Sequence, residues 1–396
     1  MRVRPAGERA LRDGHPWLFE ESVVSVSGLP NPGDIAVVFD RRNRFLAAGL
    51  WDPESTIRIR VLVHGETERI GRELFLNRLA DALGRRTGVA SRQTTGFRVL
   101  SGGNDGMPGL VADLYDRTLV LKVYSVAWIP HIRHVAGAAR DLLAPERILL
   151  LASDRVAAGG ACPRPVAEGG ALHGSTRPGP VPFLETGLRF EARPFEGHKT
   201  GFYLDQRANR RRLGAKASGA RVLDVFAHSG GFSLHAARGG AREVVSVDVA
   251  GPALQQARRH FDLNRSDPRV RHCRHATIEG DAFAVMTELV RREEEFDFVV
   301  VDPPAFARAS RHRSNALTAY GKLTSLATSL LRPGGLLVQA SCSSRIGAEE
   351  FQDVVVRSAR AEGRPLDEVE ITGHPPDHPV GFPQGRYLKC VWGRLS

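Results

Sequence analysis

Short apolar stretches separated by turn residues dominate the first seventy or so positions of the chain. The apolar or alternating stretches cover residues 35–39, 45–49 and 57–62, a length and pattern typical of β-strands. Turn residues precede the first and second stretches, as Asn31-Pro32-Gly33-Asp34 and Arg42-Asn43. The pattern predicts a small β-barrel over residues 1–75.

A helical pattern follows at the end of this barrel. Between residues 66 and 83, apolar side chains recur at the spacing of one helix face, at Ile70, Leu74, Phe75, Leu79 and Leu83. The spacing predicts a connecting helix.

The next block, residues 76–190, mixes strand and helix patterns. Strands are predicted at 97–100, 110–114, 119–124 and 147–151, and a helix at 132–143. Residues 157–182 contain six glycines, five prolines and no aromatic residue, a composition that buries little surface and indicates a flexible surface loop. We therefore expect a small α+β middle domain with a long loop and assign no function to that loop.

Strands alternate with helices from about residue 191 onward. The predicted strands cover residues 221–226, 243–248, 296–302 and 335–341. Such alternation is typical of βαβ units around a parallel sheet. The pattern predicts an α/β domain over residues 191–396.

Composition and charge narrow the function classes. The 396 residues are 42% hydrophobic and 25% charged, which excludes a disordered chain. The net charge is +11 and the sequence pI about 10.1, which favours a polyanionic partner, nucleic acid first. Charge alone leaves the alternative that the arginine content reflects only coding bias.

Cysteine usage and the apolar stretches indicate where the protein works. The four cysteines are too scattered for a disulfide framework and form no CxxC pair for zinc. The N-terminal residues have no apolar signal region, and no stretch reaches about 18 uninterrupted apolar residues. We expect a cytoplasmic protein with no membrane partner.

A cofactor site is predicted where the strand at 221–226 ends. The strand carries Asp224 and leads through Phe226, Ala227, His228 and Ser229 into Gly230-Gly231-Phe232 and a helix. Glycines at the first turn of a doubly wound sheet let the backbone approach a ligand closely. The dinucleotide fingerprint GxGxxG is absent, so the site favours a nucleotide-like cofactor without phosphates.

Two further acids lie at strand ends and extend this site. Asp248 ends the strand at 243–248 and is placed to accept hydrogen bonds from ribose hydroxyls. Asp281 follows a third probable strand, where it could accept from the exocyclic amine of adenine. The alternative for either acid is a helix N-cap.

The strand at 296–302 ends in Asp302-Pro303-Pro304-Ala305-Phe306, a pattern found in methyltransferases that act on planar nitrogen-bearing groups. The prolines stiffen a loop that can hydrogen-bond a base edge. Phe306 lies one residue later than the aromatic of the amino-methylating form, which weakens an N-methyl interpretation.

Cys342, between Ser341 and Ser343, follows the strand at 335–341. Methylation of pyrimidine C5 requires temporary addition of a thiolate at C6, and Asp302 could donate a proton to N3 of cytosine. A cysteine at a strand end is otherwise a small buried residue, but this placement favours the nucleophile. Cys162, Cys273 and Cys390 are interpreted as structural.

These residues together resemble class I S-adenosylmethionine-dependent methyltransferases from about residue 191 onward. Nearly the whole chain resembles the bacterial large-subunit ribosomal RNA cytosine-5 methyltransferases, which have an N-terminal PUA domain, a middle domain and a C-terminal methyltransferase domain. The resemblance is carried by Gly14-His15-Pro16-Trp17-Leu18-Phe19, by the segment 197–207, by Asp302 to Phe306, by Ser341-Cys342-Ser343 and by Tyr387-Leu388-Lys389.

The resemblance implies an α/β fold class. It implies a Rossmann-like class I methyltransferase domain with a mixed, mainly parallel sheet at 191–396, a PUA-like RNA-binding barrel at 1–75 and a small α+β domain at 76–190. The implied cofactor is S-adenosylmethionine, with S-adenosylhomocysteine as product and no metal. The implied reaction methylates C5 of a specific cytosine in 23S ribosomal RNA through a Cys342 thiolate adduct at C6. The implied partner is large-subunit ribosomal RNA, and a homodimer is left open.

The resemblance also implies site residues. Cys342 and Asp302 would be catalytic. The cofactor would be bound by Phe202, Gln206, Asp224, Phe226, Ala227, His228, Ser229, Gly230, Gly231, Phe232, Asp248, Val249, Asp281, Ala282, Asp302 and Pro303. The substrate would be bound by Lys199, Arg207, Arg210, Pro304, Phe306, Tyr320 and Lys322.

Two alternatives stay open. A guanine-modifying RNA methyltransferase shares the Lys-Thr-Gly-Phe and Asp-Pro-Pro-x-Phe elements but lacks the cysteine, so Cys342 separates the two. A non-catalytic RNA-binding assembly factor would keep the cofactor site for stability only. The sequence departs from its relatives in the long loop 157–182 and at Ala227-His228-Ser229, where many relatives carry Tyr-Thr.

Overall fold

The computed structural model describes residues 1–176, 179–306 and 313–396. The chain divides into two compact units. The first comprises Met1–Gly187, Glu191–Leu204 and Pro376–Gly385, and the second Leu188–Phe190, Asp205–Pro375 and Arg386–Ser396. The division into barrel, middle and methyltransferase domains at residues 75 and 190 stays a prediction.

The first unit begins with a six-stranded sheet in the order β2-β6-β5-β4-β1-β3. Its elements are β1 (Arg2–Val3), α1 (Pro5–Arg12), β2 (Trp17–Phe19), β3 (Val23–Ser25), β4 (Ile35–Phe39), β5 (Phe45–Trp51) and β6 (Ile57–His64). Leu11, Leu18, Val38 and Ile59 are buried in one apolar core. The three predicted strands are confirmed, whereas α1 and the short strands β1 to β3 were missed.

A second sheet of the first unit has five strands in the order β11-β10-β9-β8-β7. Its elements are α2 (Arg72–Gly84), β7 (Gly96–Ser101), β8 (Leu110–Tyr115), β9 (Thr118–Val123), α3 (Ile132–Leu143), β10 (Arg147–Ala152), α4 (Asp154–Ala157), α5 (Arg164–Ala167) and β11 (Gly170–His173). Helix α2 begins six residues later than predicted, because the backbone at Gly71 is extended.

The prediction of a flexible loop over residues 157–182 is wrong for much of that segment. Helix α5 and strand β11 lie within it, and β11 pairs antiparallel with β10. Cys162, Val166 and Leu172 pack against the apolar core. A few apolar side chains among many glycines and prolines are thus enough to dock the segment, because β10 offers an edge for pairing. Two more strands follow, β12 (Val181–Glu185) and β13 (Leu188–Ala192).

The second unit is built on a seven-stranded sheet in the order β16-β15-β14-β17-β18-β20-β19. Its strands are β14 (Arg221–Val225), β15 (Glu243–Asp248), β16 (Arg274–Glu279), β17 (Phe296–Val301), β18 (Leu331–Ser341), β19 (Leu366–Thr372) and β20 (Lys389–Leu395). Its helices are α6 (Arg207–Lys216), α7 (Gly231–Arg238), α8 (Gly251–Leu263), α9 (Pro268–His272), α10 (Ala282–Arg291), α11 (Arg313–Ser329) and α12 (Ala348–Ala361).

Strands β14 to β18 are parallel, and β20 runs antiparallel between β18 and β19. The central strands β14 and β17 are mainly apolar, with Arg221 and Asp224 in β14 and Asp297 in β17 as their polar residues, as expected for strands covered on both faces. The predicted α/β class with a mixed, mainly parallel sheet is confirmed. The apolar residues near the end of the sequence predict a terminal strand at 387–392, and β20 lies two to three residues later; β19 was missed.

Candidate functional site

The carboxyl ends of the parallel strands bring most of the predicted site residues together. Asp224 pairs with Ser246 and Val300 in register, and Asp248 pairs with Glu279. Asp302 directly follows β17, and Cys342 directly follows β18. The carboxyl ends of neighbouring parallel strands form the ligand-binding edge of such sheets, so the four predicted residues Asp224, Asp248, Asp302 and Cys342 lie along one edge.

Asp224 is the most buried acid of this edge, with 1% of its surface exposed. Its Oδ2 accepts hydrogen bonds from the backbone N–H of Ser233 at 3.0 Å and from the Ser233 hydroxyl at 2.6 Å. Its Oδ1 is buried and has no hydrogen-bond partner among the described residues. Burial, followed by the nearby Asp248, raises the pKa of Asp224 to about 7. A buried, unpaired carboxylate oxygen is costly unless a ligand donates to it, so Asp224 fits a ligand with a donor group.

The loop after β14 has an unusual backbone. Phe226 and His228 adopt positive φ of 62° and 49°, and Gly230 follows at 72°. Side chains other than glycine rarely adopt this region, and such strain collects at functional sites. The loop is fixed by hydrogen bonds from the Ala227 N–H to the Val247 carbonyl at 3.0 Å and from the His228 N–H to Asp248 Oδ2 at 2.8 Å.

The residue before α7 is Gly230, and its surroundings leave no room for a side chain. A Cβ atom added at Gly230 would lie 2.8 Å from the Cβ of Ala257 on α8. Its backbone is also left-handed, which glycine adopts without strain. The close approach of loop and helix therefore depends on the missing side chain.

Asp248 has a second role that the sequence did not reveal. Its carboxylate accepts the His228 N–H and, at 2.9 Å, the Ala250 N–H, so it braces the loop that surrounds the predicted cofactor site. Each carboxylate oxygen can accept a further hydrogen bond, and a ribose contact stays a prediction. The neighbouring Val249 is 72% exposed, which leaves an apolar surface at the strand end for a planar base.

Asp281 caps α10. Its Oδ1 accepts the Ala284 N–H at 3.0 Å, and the side chain is exposed. This is the N-cap alternative weighed above, and a contact with adenine stays a prediction. Ala282, the first residue of the helix, is buried.

Asp302 is half-buried at the start of the loop after β17. Its Oδ1 accepts a hydrogen bond from Gln206 Nε2 at 3.0 Å, which joins two residues predicted to bind the cofactor. Burial and the nearby Asp205 raise the pKa of Asp302 to about 7, against the opposing effect of the Gln206 hydrogen bond. The carboxyl group can therefore hold a proton near neutral pH, as a general acid requires.

The described rest of the Asp-Pro-Pro-Ala-Phe loop, residues 303–306, is partly buried. Pro303 is buried, Pro304 is exposed and Phe306 is half-buried. The ring of Phe306 lies 5.2 Å from that of Tyr320, centroid to centroid. Tyr320 is itself fully buried, and its hydroxyl donates to Ser341 Oγ at 3.0 Å. In this arrangement Tyr320 supports the strand end before Cys342, and its predicted contact with substrate stays a prediction.

Cys342 lies beside the Asp302 loop. The side chain is half-buried, and its Sγ is 3.8 Å from the carbonyl oxygen of Pro303. Backbone positions that directly follow β17 and β18 thus place the thiol next to the Asp-Pro-Pro loop. The thiol therefore lies beside the loop that begins at Asp302, and the catalytic roles of Cys342 and Asp302 stay predictions.

Lys389 anchors the chain after Cys342. It is buried, and its Nζ donates to the carbonyls of Ser343, Ile346 and Tyr387, at 2.7 Å for Ile346 and 3.2 Å for Tyr387. Burial lowers the pKa of Lys389 to about 8, and the nearby Cys342 opposes that shift. The Lys389 side chain thus holds the backbone that follows Cys342 through the carbonyls of Ser343 and Ile346.

The other three cysteines have environments that suppress reactivity. Cys273 and Cys390 are buried, and burial raises the pKa of Cys273 to about 12 and that of Cys390 further. Burial also raises the pKa of Cys162, which belongs to the first unit. A raised pKa disfavours the thiolate, which agrees with their interpretation as structural.

Three residues predicted to bind the substrate have contacts within the protein that do not test this role. Arg207 and Arg210 are buried on α6, and Arg210 packs against Gly231, where an added Cβ would lie 2.8 Å from its Cδ. Lys322 is exposed, with its Nζ 5.3 Å from the ring centroid of Phe283. Their roles toward substrate stay predictions.

Lys199 and Phe202 belong to the first unit. Lys199 is exposed with a positive φ of 58°. Phe202 is buried, with its ring 5.1 Å from that of Phe183. The roles predicted for them, toward substrate and cofactor respectively, stay predictions.

Sequence reasoning missed Asn209 and Thr372, which link Gln206 to the far edge of the sheet. The signal for Asn209 was a small polar residue within a helix that otherwise carries four arginines. Thr372 gave no signal, because it contacts Asn209 across 163 positions of the chain.

The described part of the chain shows no cluster of three or more His, Cys, Asp or Glu side chains able to hold a metal ion. Within the same residues, no helix is both long enough and apolar enough to cross a bilayer.

Comparison with known proteins agrees with this architecture. Residues 175–391 match the family model described as S-adenosylmethionine-dependent methyltransferase, and residues 1–64 match a PUA-like domain. The chain is 43% identical to a ribosomal RNA large subunit methyltransferase of Deinococcus radiodurans, over 100% of this chain and 97% of the relative. It is 36% identical to ribosomal RNA large subunit methyltransferase I of Aeromonas salmonicida, over 96% of each chain.

Solved structures show the same fold. An S-adenosylmethionine-dependent methyltransferase from Streptococcus mutans superposes with a TM-score of 0.82 at 20% identity, covering 100% of this chain and 99% of that one. A methyltransferase crystallised with S-adenosylhomocysteine gives the same TM-score, identity and coverage. With the unpaired oxygen of Asp224, the glycine loop and the strand order of the sheet, these matches show that the chain belongs to the family of S-adenosylmethionine-dependent methyltransferases that includes these ribosomal RNA large subunit enzymes.

Proposed function

We propose that this methyltransferase modifies C5 of a specific cytosine in 23S ribosomal RNA, with the Cys342 thiolate adding to C6. The observation that carries the proposal is the juxtaposition of Cys342 and the Asp302 loop, with Sγ 3.8 Å from the Pro303 carbonyl. A thiol and a carboxylic acid at one strand edge supply the nucleophile and the proton donor with which C5 methylation begins.

The cofactor would be held by the carboxyl ends of β14, β15 and β16. Asp224 Oδ1 offers an unpaired acceptor, Asp248 a braced carboxylate and Val249 an exposed apolar surface. When bound, S-adenosylmethionine supplies an electrophilic methyl group on a sulfonium. The loop 226–230 packs closely against Ala257 of α8 because Gly230 lacks a side chain.

The chain's own residues activate the pyrimidine. The Cys342 sulfur forms a bond to C6 while Asp302 gives a proton to N3, so that the C5–C6 double bond becomes an enamine with a nucleophilic C5. After C5 is methylated, a base removes its proton and the S–C6 bond breaks. The N3 proton returns to Asp302, and the thiolate is regenerated.

The RNA substrate is supported by charge and by relatives. The chain carries a net charge of +11, which favours phosphate contacts, and it contains a PUA-like domain. The relatives named above are ribosomal RNA large subunit methyltransferases. We infer the same substrate class for this chain.

The test is a tritium-release assay with large-subunit ribosomal RNA that carries tritium at cytosine C5. We expect release by the wild-type protein in the presence of S-adenosylmethionine, because methylation expels the C5 hydrogen. Methyl incorporation without tritium release would contradict C5 chemistry and favour the guanine alternative. If both tritium release and methyl incorporation are absent, on naked RNA and on assembling subunits alike, the result would favour the alternative of a non-catalytic RNA-binding factor.

Asp248→Ala should weaken cofactor binding. The substitution removes the acceptor for the His228 and Ala250 N–H groups and the proposed ribose contact, so we expect a loss of about 1–3 kcal/mol in affinity. Isothermal titration with S-adenosylhomocysteine measures it. Asp267→Ala, which removes the cap of α9, is the matched control and should leave affinity unchanged. Unaltered affinity in Asp248→Ala would place the ribose elsewhere.

Cofactor affinity should rise with pH between about 5.5 and 7.5. The pKa of Asp224 is about 7 because of burial, so the carboxyl is neutral at the lower end of that range and ionised at the upper end. In the ionised form both carboxylate oxygens are acceptors, whereas in the neutral form one oxygen carries the proton. A cationic amine therefore binds the ionised form more tightly. Titration calorimetry of the wild type and Asp224→Asn at several pH values tests this, and an equal pH slope in both proteins would exclude Asp224 as the source.

A further inference from the structure

Four hydrogen bonds connect the far edge of the catalytic sheet to Asp302. Trp392 Nε1 donates to Thr372 Oγ1 at 2.9 Å, and Thr372 Oγ1 donates to Asn209 Oδ1 at 2.6 Å. Asn209 Nδ2 donates to Gln206 Oε1 at 2.6 Å, and Gln206 Nε2 donates to Asp302 Oδ1 at 3.0 Å. We call these four bonds the Trp392–Asp302 chain.

The members of the Trp392–Asp302 chain are mostly shielded from water. Gln206, Asn209 and Trp392 are buried, and Thr372 is half-buried. Buried polar groups must satisfy one another. A change of one hydrogen bond therefore affects the others.

The indole fixes the direction of the chain. Its N–H can only donate, so Thr372 Oγ1 accepts from Trp392. The Thr372 hydroxyl then has two acceptors in reach, Asn209 Oδ1 at 2.6 Å and the Cys390 carbonyl at 3.4 Å. The shorter contact lies within the usual range for a hydroxyl donor and the longer one beyond it.

The donor and acceptor roles of the two side-chain amides follow from this hydrogen bond. Once Asn209 Oδ1 is the acceptor, its Nδ2 faces Gln206 and requires Gln206 Oε1 as acceptor. Gln206 Nε2 then faces Asp302 and donates to Oδ1. Among the described residues, the hydrogen bond that the Asp302 carboxylate accepts comes from Gln206 and occupies Oδ1.

The position of Trp392 is itself fixed. Glu370 pairs with Trp392 and Thr372 with Cys390 in the β19–β20 register, so Thr372 and Trp392 are diagonal neighbours on one face. The Arg212 guanidinium carbon lies 4.6 Å above the indole ring and pairs with Glu370. The donor end of the chain is thus held by the sheet and by a stacked cation.

We propose that Trp392, Thr372 and Asn209 are positioning residues that make Gln206 a hydrogen-bond donor to Asp302 Oδ1, so that the proton of the acid resides on Oδ2 and points to the base. The proposal rests on the proposed role of Asp302 as proton donor to N3. With the amides reversed, Gln206 would present Oε1, and the proton would be drawn to Oδ1 and away from the substrate.

Asp302 titrates in a crowded electrostatic environment. Burial raises its pKa and the Gln206 donor lowers it, so loss of the donor should raise it further. The titratable or charged groups that act on it or respond to it are Asp205, Asp224, Arg210, Tyr320 and Cys390. Among these groups, Cys390 is also in contact with Thr372, whose side chain lowers the pKa of the Cys390 thiol, so a substitution at Thr372 raises the pKa of that thiol further.

The test compares Thr372→Val with Thr372→Ser. Valine removes the hydroxyl and leaves the shape, whereas serine keeps the hydroxyl. We expect kcat for tritium release to fall about 10- to 100-fold in Thr372→Val, with the affinity for S-adenosylhomocysteine unchanged. Activity is lost when Asp302 deprotonates. In Thr372→Val, the pH at which kcat declines on the alkaline side should therefore rise by about half to one unit. Thr372→Ser should restore both.

A second readout does not depend on the RNA reaction. The side-chain amide of Gln206, identified by its absence in Gln206→Glu, should respond in NMR spectra to the titration of Asp302 in the wild type and in Thr372→Ser but not in Thr372→Val. An equal response in all three would overturn the proposal, as would an equal fall of kcat in both threonine variants.

The two proposals can fail separately. If the wild type releases no tritium, the cytosine-5 function fails. The amide signal still decides whether the Trp392–Asp302 chain makes Gln206 a hydrogen-bond donor to Asp302. If Thr372→Val does not fold, Trp392→Phe removes the indole donor while keeping an aromatic ring at this buried position. We expect it to change kcat, the pH of the alkaline decline and the amide signal in the same directions as Thr372→Val. Wild-type behaviour of Trp392→Phe in all three would overturn the proposal.

Discussion

Methyl transfer is expected to fall at least about 10³-fold when Cys342 is replaced by alanine, with cofactor affinity almost unchanged. The thiolate adds to the base and not to the methyl donor, so the loss should appear in kcat alone. Tritium release and methyl incorporation measure turnover, and titration with S-adenosylhomocysteine measures binding.

The control for Cys342→Ala is Cys162→Ala. Cys162 belongs to the first unit, where burial raises its pKa, and its replacement should leave turnover intact. Substantial turnover by Cys342→Ala would reject the thiolate mechanism. A large loss of cofactor affinity would instead mean that Cys342 supports the fold of the cofactor site.

Asp302→Asn should lower kcat by about 10²- to 10⁴-fold. The asparagine oxygen can still accept the Gln206 hydrogen bond, but the amide cannot transfer a proton to N3. Because the pKa of Asp302 is about 7 through burial, wild-type turnover should decline as pH rises through that value, and this decline should be absent from the residual activity of Asp302→Asn.

Asp205→Asn provides an electrostatic control for Asp302→Asn. Asp205 accepts a hydrogen bond from the Tyr387 hydroxyl at 2.9 Å and contributes to the raised pKa of Asp302. Its neutralisation should move the alkaline decline to lower pH with a modest change in the plateau. A loss as large as that of Asp302→Asn would show that charge near the site, and not proton donation, limits the rate.

The regular elements were predictable where apolar runs end at turn residues. Strands β4 and β15 and helix α3 have the predicted bounds, because the two strands are short, mainly apolar runs and the helix carries its buried residues on one face. Helix α1 was missed because only Gly7 and Leu11 of its eight residues are buried. Strand β19 was missed because four of its seven residues are charged or polar and because it pairs with β20, which lies later in the chain.

The site was predictable where chemistry follows a strand. Asp224, Asp302 and Cys342 each lie at the carboxyl end of an apolar run, and parallel pairing brings such ends together. The environment of these groups was not predictable. The raised pKa of Asp302 comes from burial and from Asp205, which lies 97 positions earlier in the chain. The supporting role of Tyr320 depends likewise on its burial beneath the site.

The antiparallel strand β20 sets the order in which this unit can assemble. It lies between β18 and β19, although both precede it in the chain. During synthesis β19 cannot join the sheet until β20 has emerged, since β20 is the strand that links it to β18. Lys389 and Trp392 both lie on β20. A nascent chain can therefore pair β14 to β18 before β20 has emerged, whereas the hydrogen bonds of Lys389 and Trp392 form only afterwards.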